Sequence, residues 1–208
     1  MKLLTFKFIL IFIYLILPSA SYAIQQPNLK NLIIHKDPTK LEKINFKNIN
    51  NETINLNEFE NSLIIINFWA TWCAPCIEEM PSLNRLQANP VFKNLQIIPI
   101  NVGRDNVEKS KNFYEKLNID NLEIYFDKNV ELANKFLLRG LPTTVFINKK
   151  GEEFARVIGF VNFDDNFILI GNKNDIRYLK KYKKIKLIGS KAFPFTDRNI
   201  EIYEIIFD

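Results

Sequence analysis

Residues 63–86 read LIIINFWATWCAPCIEEMPSLNRL, and this stretch decides the fold. It opens with a short apolar run rich in β-branched side chains, which is typical of a strand covered on both faces. Beyond residue 76 the apolar side chains recur at helical spacing, so a helix is expected to begin beside Cys73. The sequence therefore predicts a buried strand that leads directly into a helix, with a cysteine at the junction.

The chain has only two cysteines, Cys73 and Cys76, and they form a Cys-x-x-Cys pair at this junction. At a helix start, unpaired backbone N–H groups and the helix dipole stabilise a thiolate over a thiol. Cys73 is therefore the predicted nucleophile. Cys76, one turn inside the helix, can attack a mixed disulfide on Cys73 and close an intramolecular disulfide. The pair is predicted to be a redox-active dithiol.

Two other uses of the cysteine pair stay open on the residues alone. Structural zinc needs four ligands, and beyond the two cysteines the chain offers a single histidine, His35. A purely structural disulfide would constrain the unfolded chain little, because the loop it closes is small. We expect neither a metal nor an organic cofactor.

Residues 1–23 have the layout of a secretory signal peptide, with Lys2 and Lys7, an apolar stretch and the small-residue site at 21–23. The apolar stretch spans 10 residues, whereas a bilayer takes about 17 to 25, so an uncleaved anchor is the weaker interpretation. Cleavage would leave 185 residues and reduce the formal charge from +5 to +3, since two lysines and no acid are removed. Such a charge does not indicate nucleic-acid binding.

The remainder of the chain has an α/β pattern. Residues 24–42 have the composition of an irregular linker, and a β-hairpin is expected between 44 and 56. A parallel portion of the sheet should precede an antiparallel hairpin that turns at 148–151. Beyond the stretch quoted above, strands are expected near 96–101, 122–126, 143–147 and 154–158, and helices near 107–117 and 129–136.

Residues 163–208 have no role that the sequence explains. A final helix could cover 175–184, and residues 200–207 alternate as a strand would. Residues 173–191 carry eight Lys or Arg against one acid. Such a run usually marks a solvated face, and it leaves a membrane association open.

Two segments carry a family resemblance. Residues 67–83, NFWATWCAPCIEEMPSL, resemble the signature of the TlpA/ResA/CcmG-like branch of the thioredoxin superfamily, and residues 140–144, GLPTT, look like its cis-proline loop. The resemblance implies an α/β thioredoxin-like three-layer fold over residues 43–162, with helices on both faces of a mixed sheet and an N-terminal β-hairpin extension. It also implies an exported thiol-disulfide oxidoreductase, in the periplasm or at the outer face of the cytoplasmic membrane.

The resemblance also suggests substrate contacts. About 5 to 6% of X-Pro bonds are cis, so Pro142 is expected to be cis only because of the family likeness. The backbone of Leu141 would then face the dithiol and pair with an extended substrate segment as an added strand. Trp72 and Pro75 complete the predicted substrate-binding set, whereas core packing is the better interpretation of Trp69.

Asn67 departs from thioredoxin itself, which has a buried aspartate at the matching position. Because an amide cannot shuttle a proton, Glu79 is the candidate that deprotonates Cys76; related reducing members place a glutamate three residues after the second cysteine. An ordinary role is equally open for Glu79, since an acid early in a helix favours the dipole by about 0.3 to 1 kcal/mol.

The residues between the cysteines favour a reductant, because Pro75 limits how fully the helix stabilises the thiolate and so lowers the potential. Expected partners are disulfide-containing exported proteins and a membrane thiol donor of the CcdA/DsbD type, in cytochrome c maturation or cytochrome oxidase copper-site assembly. A disulfide oxidase or isomerase and a Cu(I) chaperone stay open as alternatives. A peroxiredoxin is disfavoured because alanine occupies position 70, where that class needs threonine or serine.

Overall fold

The computed structural model describes residues 31–59, 62–92 and 94–164, together with the strands at 167–172, 185–192 and 199–205. The main sheet contains β1 (Leu32–Lys40), β2 (Asn45–Lys47), β3 (Thr53–Asn55), β4 (Leu63–Trp69), β5 (Leu95–Asn101), β6 (Tyr125–Phe126), β7 (Thr143–Ile147) and β8 (Glu152–Ile158). The helices are α1 (Ala74–Ala88), α2 (Val107–Lys116) and α3 (Glu131–Lys135), with short 3-10 turns at Leu56–Phe59 and Pro90–Phe92. Among the described residues, no helix has both the length and the apolar character needed to cross a bilayer.

The strand order of the main sheet is β1-β8-β7-β4-β5-β6-β2-β3. Strands β4, β5 and β6 are parallel, whereas β7, β8 and β1 extend the sheet antiparallel on one side and β2 with β3 on the other. This order confirms the parallel portion, the β7–β8 hairpin and the N-terminal β2–β3 hairpin. The sheet is thioredoxin-like, as the resemblance implied.

Side chains of β4 alternate between two cores, one on each face of the sheet. Ile65 and Trp69 join a core formed with α1 and α2. Ile66 and Phe68 join a second core that includes Leu132 of α3. Because both faces are covered, the strand is apolar except for the buried Asn67, instead of alternating with polar residues. This arrangement confirms the three-layer architecture.

Strand β1 corrects the prediction of an irregular linker over residues 24–42. Residues 32–40 pair antiparallel with β8 at the edge of the sheet, with a bulge between Ile34 and Thr39. Pro38 lies within that bulge, where its missing N–H removes no ladder bond. The bulge interrupts the period-2 pattern, so the strand was not visible in the sequence, and the domain begins before residue 43.

Two other elements are present where the sequence predicts them but are shorter than predicted. The strand predicted over 122–126 is confined to Tyr125–Phe126, and the helix predicted over 129–136 is confined to Glu131–Lys135.

In the C-terminal part, β9 (Phe167–Asn172), β10 (Ile185–Ala192) and β11 (Asn199–Ile205) form an antiparallel sheet of order β10-β11-β9. The strand expected near 200–207 is confirmed, whereas the signal peptide at 1–23 and the helix at 175–184 lie outside the described residues.

A buried carboxylate joins β1 to β8. Glu153 accepts hydrogen bonds from Arg156 Nε at 2.6 Å and Arg156 Nη2 at 2.8 Å, and its Oε1 lies 2.8 Å from His35 Nε2. The guanidinium also donates to the carbonyl of Phe136 at 2.7 Å. Since the Glu153 side chain is 4% exposed, the charge depends on these partners for its solvation.

We expect Glu153→Ala to lower the free energy of unfolding by about 3 kcal/mol, because it leaves the Arg156 guanidinium without its carboxylate in a largely buried position. Urea unfolding followed by circular dichroism measures the change. Asp164→Ala is the matched control, since it removes an exposed partner of Arg85 and should cost less than about 1 kcal/mol. Equal losses in the two variants would contradict the role given to Glu153.

Candidate active site

The two cysteines lie at the junction that the sequence predicted. Cys73 is the N-cap of α1, in an extended conformation, and Cys76 lies in the first turn of the helix. A disulfide joins the two side chains, with Sγ atoms 2.07 Å apart. The backbone N–H groups of Cys76 and Ile77 donate to the Cys73 carbonyl at 3.0 and 3.1 Å. Pro75, at the second helical position, removes one amide that could otherwise stabilise a thiolate on Cys73.

The two tryptophans beside the pair have different environments. Trp69 is fully buried and its ring packs against Phe113 and Tyr114, with ring centroids 4.8 and 5.6 Å apart. Trp72, the residue before Cys73, is 66% exposed. Core packing therefore accounts for Trp69, whereas Trp72 presents a large apolar surface next to the dithiol.

The cis-proline loop lies at the same edge of the sheet as the dithiol. In the register of β4 with β7, Phe68 pairs with Thr143, so the end of β4 faces the start of β7. The Leu141–Pro142 peptide bond is cis, as the resemblance implied. Leu141 packs against the core that contains both cysteines. The Pro142 carbonyl accepts a hydrogen bond from the Gly159 N–H at 2.8 Å.

Glu79 is a carboxyl group in the interior, one helical turn beyond Cys76. Its side chain is fully buried, and it accepts hydrogen bonds from Asn67 Nδ2 on Oε1 and from the Val161 N–H on Oε2, both at 2.6 Å. Burial raises the pKa of Glu79 to about 8, although both hydrogen bonds oppose the rise. Glu79 is therefore a buried, hydrogen-bonded carboxyl group whose protonated form is favoured at neutral pH.

Asn67 connects Glu79 to the neighbouring strand. Its Nδ2 donates to Glu79 Oε1 and, at 3.0 Å, to Thr144 Oγ1 on β7. Its Oδ1 is buried and has no hydrogen-bond partner among the described residues. The amide thus supplies a neutral donor to the carboxyl group where thioredoxin itself has an acid.

A short segment after β8, residues 161–164, runs along α1 and contacts every third residue of that helix, from Glu79 to Arg85. The Val161 N–H donates to Glu79, the Phe163 N–H donates to Ser82 Oγ at 3.1 Å, and the Arg85 guanidinium binds the Asp164 carboxylate. Val161 and Phe163 bury their side chains in the core that holds the cysteines. We call residues 161–164 the strap. No local sequence pattern predicts it, because each of its contacts spans about 80 residues.

Metal ligands are not gathered at this site. Within the described part of the chain, no group of three or more His, Cys, Asp or Glu side chains could hold a metal ion. His35, the histidine weighed as a zinc ligand, contacts Glu153 on β8.

A disulfide at a helix start, after a central parallel strand and beside a cis-proline loop, defines a thioredoxin-like thiol-disulfide protein. Residues 39–152 match the model of the AhpC/TSA family, and the chain belongs to that family. Position 70 is nonetheless alanine, so the threonine or serine of a peroxidatic site is not present there.

The chain is similar to proteins named thiol-disulfide oxidoreductase ResA. It is 32% identical to that of Geobacillus kaustophilus over 112 residues, or 53% of this chain and 62% of the relative. It is 33% identical to that of Oceanobacillus iheyensis over 132 residues, or 62% of this chain and 64% of the relative. The match thus spans less than two thirds of each of these curated relatives.

Solved structures have the same fold. A secreted thiol-disulfide isomerase from Corynebacterium glutamicum superposes with a TM-score of 0.55 at 26% identity, covering 67% of this chain and 89% of that one. StoA from Bacillus subtilis superposes with a TM-score of 0.52 at 22% identity, covering 59% and 92% of the two chains. The second likeness supports the fold alone.

The raised pKa of Glu79 makes stability depend on pH. Between about pH 4.5 and 8 the folded protein keeps a proton on Glu79 that the unfolded chain releases, so stability should decrease as pH rises through this window. The slope should reach about 1.4 kcal/mol per pH unit. Below pH 4.5 both states hold the proton, and this contribution to stability no longer changes.

Glu79→Gln should remove this slope, whereas Glu78→Gln, the same change on the exposed face of α1, should keep it. Urea unfolding of the disulfide-bonded protein at several pH values measures the difference. Parallel stability curves for the wild type and Glu79→Gln would show that Glu79 does not titrate in this window.

Proposed function

We propose that this protein is a thiol-disulfide oxidoreductase that reduces disulfides of exported proteins. The observation that carries the proposal is the Cys73–Cys76 disulfide at the N-terminus of α1, with a buried acid one turn further along. The names of the ResA relatives and of the isomerase from Corynebacterium glutamicum support the same chemistry.

In the proposed reaction, the Cys73 thiolate attacks a substrate disulfide, whose S–S bond breaks as a mixed disulfide forms. Cys76 then loses its proton and attacks the Cys73 sulfur, which releases the second substrate thiolate. The substrate gains two electrons, and the Cys73–Cys76 pair loses two. A membrane thiol donor of the CcdA/DsbD type would return the pair to the dithiol.

The ionised form of Glu79, which burial restricts to a minority below about pH 8, is the proposed acceptor of the Cys76 proton. It follows Cys76 by three residues, which places both side chains on one face of the helix. Its pKa of about 8 is close to the value of about 8.5 for an ordinary cysteine, so the proton transfer would be nearly balanced in free energy. An acid with an ordinary pKa would accept the proton far less readily.

Trp72, Pro75, Leu141 and Pro142 are the proposed substrate contacts. Trp72 is largely exposed, and the cis-proline loop lies at the same edge of the sheet. An extended segment of the substrate could pair with the backbone of Leu141 as an added strand, which would align its disulfide with Cys73.

The proposed direction is reduction, and the proposed location is the periplasm or the outer face of the cytoplasmic membrane. The predicted signal peptide over residues 1–23 supports export, and Pro75 supports a low potential because it leaves the thiolate less stabilised. Cytochrome c maturation and cytochrome oxidase copper-site assembly are the proposed contexts, since both need reduced thiols outside the cytoplasm.

Two alternatives use the same cysteines. A disulfide oxidase or isomerase has the same dithiol at a higher potential, and the Corynebacterium glutamicum relative is named an isomerase. A Cu(I) chaperone would use the two sulfurs as soft ligands. Stoichiometric copper binding that survives a competing chelator, without insulin reduction, would favour the chaperone.

We expect Cys76→Ser to trap covalent partners in the native cell envelope, because the mixed disulfide on Cys73 can no longer be resolved. Non-reducing electrophoresis followed by mass spectrometry of the excised bands identifies these partners. Cys73→Ser is the matched control and should trap none, since it keeps a cysteine but loses the attacking one. Equal trapping by both variants would contradict the assigned roles.

Equilibration with glutathione or dithiothreitol buffers should give a reduction potential closer to the value of about −270 mV for thioredoxin than to the value of about −120 mV for DsbA. The reduced protein should also reduce insulin. A potential near that of DsbA would reverse the direction and make the protein an oxidase.

A further inference from the structure

Two loops meet beneath the nucleophile. The nucleophile loop, residues 70–73, joins β4 to α1, and the support loop, residues 101–105, begins at the last residue of β5. The Val102 N–H donates to the Trp69 carbonyl at 3.0 Å, which joins the two loops where they leave the sheet. The support loop therefore has a fixed position relative to the nucleophile loop from its first residues.

Gly103 brings the two loops into close contact. A Cβ atom at this position would lie 2.5 Å from the Ala70 Cβ and 3.0 Å from the Trp72 Nε1. Real Cβ atoms do not approach other heavy atoms as closely as the first of these distances, so the packing at this point leaves no room for a side chain. The backbone of the support loop thus lies directly against the residues that precede Cys73.

The Asp105 carboxylate connects the support loop to Thr71 by two hydrogen bonds. The Thr71 N–H donates to Oδ2 at 2.9 Å, and the Thr71 hydroxyl donates to Oδ1 at 2.8 Å. Asn101 Nδ2 donates to Oδ2 at 2.9 Å, and Lys109 Nζ donates to Oδ1 at 2.6 Å. The Asp105 side chain is only 2% exposed, so four donors replace the water that a carboxylate normally binds.

The charge state of Asp105 agrees with this arrangement. Burial alone would raise the pKa of Asp105, but the hydrogen bonds from Lys109, Asn101 and Thr71 outweigh it and hold the pKa below its usual value. The group is therefore a carboxylate at neutral pH and an acceptor for all four donors.

Thr71 and Trp72 also form one wall of a groove of about 410 Å³, whose other wall is α2, including Phe113. Lys109 extends from α2 to the same carboxylate that binds Thr71. Asp105 thus determines how the nucleophile loop is placed against α2.

We propose that Asp105 is a positioning residue that fixes Thr71, so that Trp72 and Cys73 are presented to a protein substrate in a single arrangement. The inference rests on the proposed thiol-disulfide exchange. A protein disulfide must approach Cys73 while its chain contacts Trp72, whereas a small disulfide needs only the sulfur. Loss of the Asp105 hydrogen bonds to Thr71 should therefore slow the reaction with a protein substrate and spare the reaction with a small one.

The experiment compares two disulfides that react with the reduced full-length protein, insulin and 2-hydroxyethyl disulfide. We expect Asp105→Ala to lower the rate constant with insulin about tenfold and to leave that with 2-hydroxyethyl disulfide within about twofold of wild type. Asp105→Asn, which keeps one acceptor oxygen, should give an intermediate loss. Tryptophan fluorescence anisotropy should also decrease. The change should come from Trp72, because Trp69, the other tryptophan, stays in the core.

Asp127→Ala is the matched control, because Asp127 is a buried acid that accepts from a backbone N–H, that of Ala133, outside the nucleophile loop. It should leave both rates within about twofold of wild type. If Asp105→Ala does not unfold cooperatively, Thr71→Val is the decisive variant instead. It removes the hydrogen bond from the Thr71 hydroxyl to Asp105 and keeps the one from the Thr71 N–H.

Two results would overturn the inference: an unchanged insulin rate in the decisive variant, or an equal loss with both disulfides. A wild-type protein that exchanges with neither disulfide would instead refute the proposed function itself.

Discussion

Burial of the Glu79 carboxyl group among neutral donors is the constraint on which the proposed chemistry depends. Its described hydrogen-bond partners are an amide side chain, Asn67, and a backbone N–H, that of Val161. Neither carries a charge, so desolvation dominates and the acid keeps its proton near neutral pH. A lysine or arginine in place of Asn67 would stabilise the carboxylate and lower its pKa, leaving an acid unable to exchange a proton with a thiol.

The fold supplies the parts of this environment from distant regions of the chain. Strand β4 is buried on both faces, so Asn67 lies in the interior on one face of the sheet. The loop that follows β4 places Cys73 at the start of α1. The segment after β8 then closes the site from the side of the helix. Because each part belongs to a different element, the site forms only where β4, α1 and the strap pack together.

Features that depend on neighbouring residues could be predicted from the sequence. Features that depend on contacts between residues far apart in the chain could not. The Cys73–Cys76 pair, β4, α1 and the β2–β3 hairpin follow from local periodicity, turn residues and spacing, and all are confirmed. Strand β1 was missed because its bulge contains Pro38 and interrupts the alternation. Asp105 and the strap were missed because their contacts join residues 34 and 82 positions apart, and no local pattern encodes such pairs.

The strap extends the environment of Glu79 beyond the last strand of the main sheet. A chain that stopped at Phe160 would contain every strand of the main sheet, both cysteines and Glu79 itself. It would nevertheless lack the amide that Val161 contributes, and water could enter along the uncovered side of α1. The environment of Glu79 therefore depends on residues beyond the last strand of the main sheet, which contribute a backbone N–H, two buried side chains and an exposed ion pair to α1.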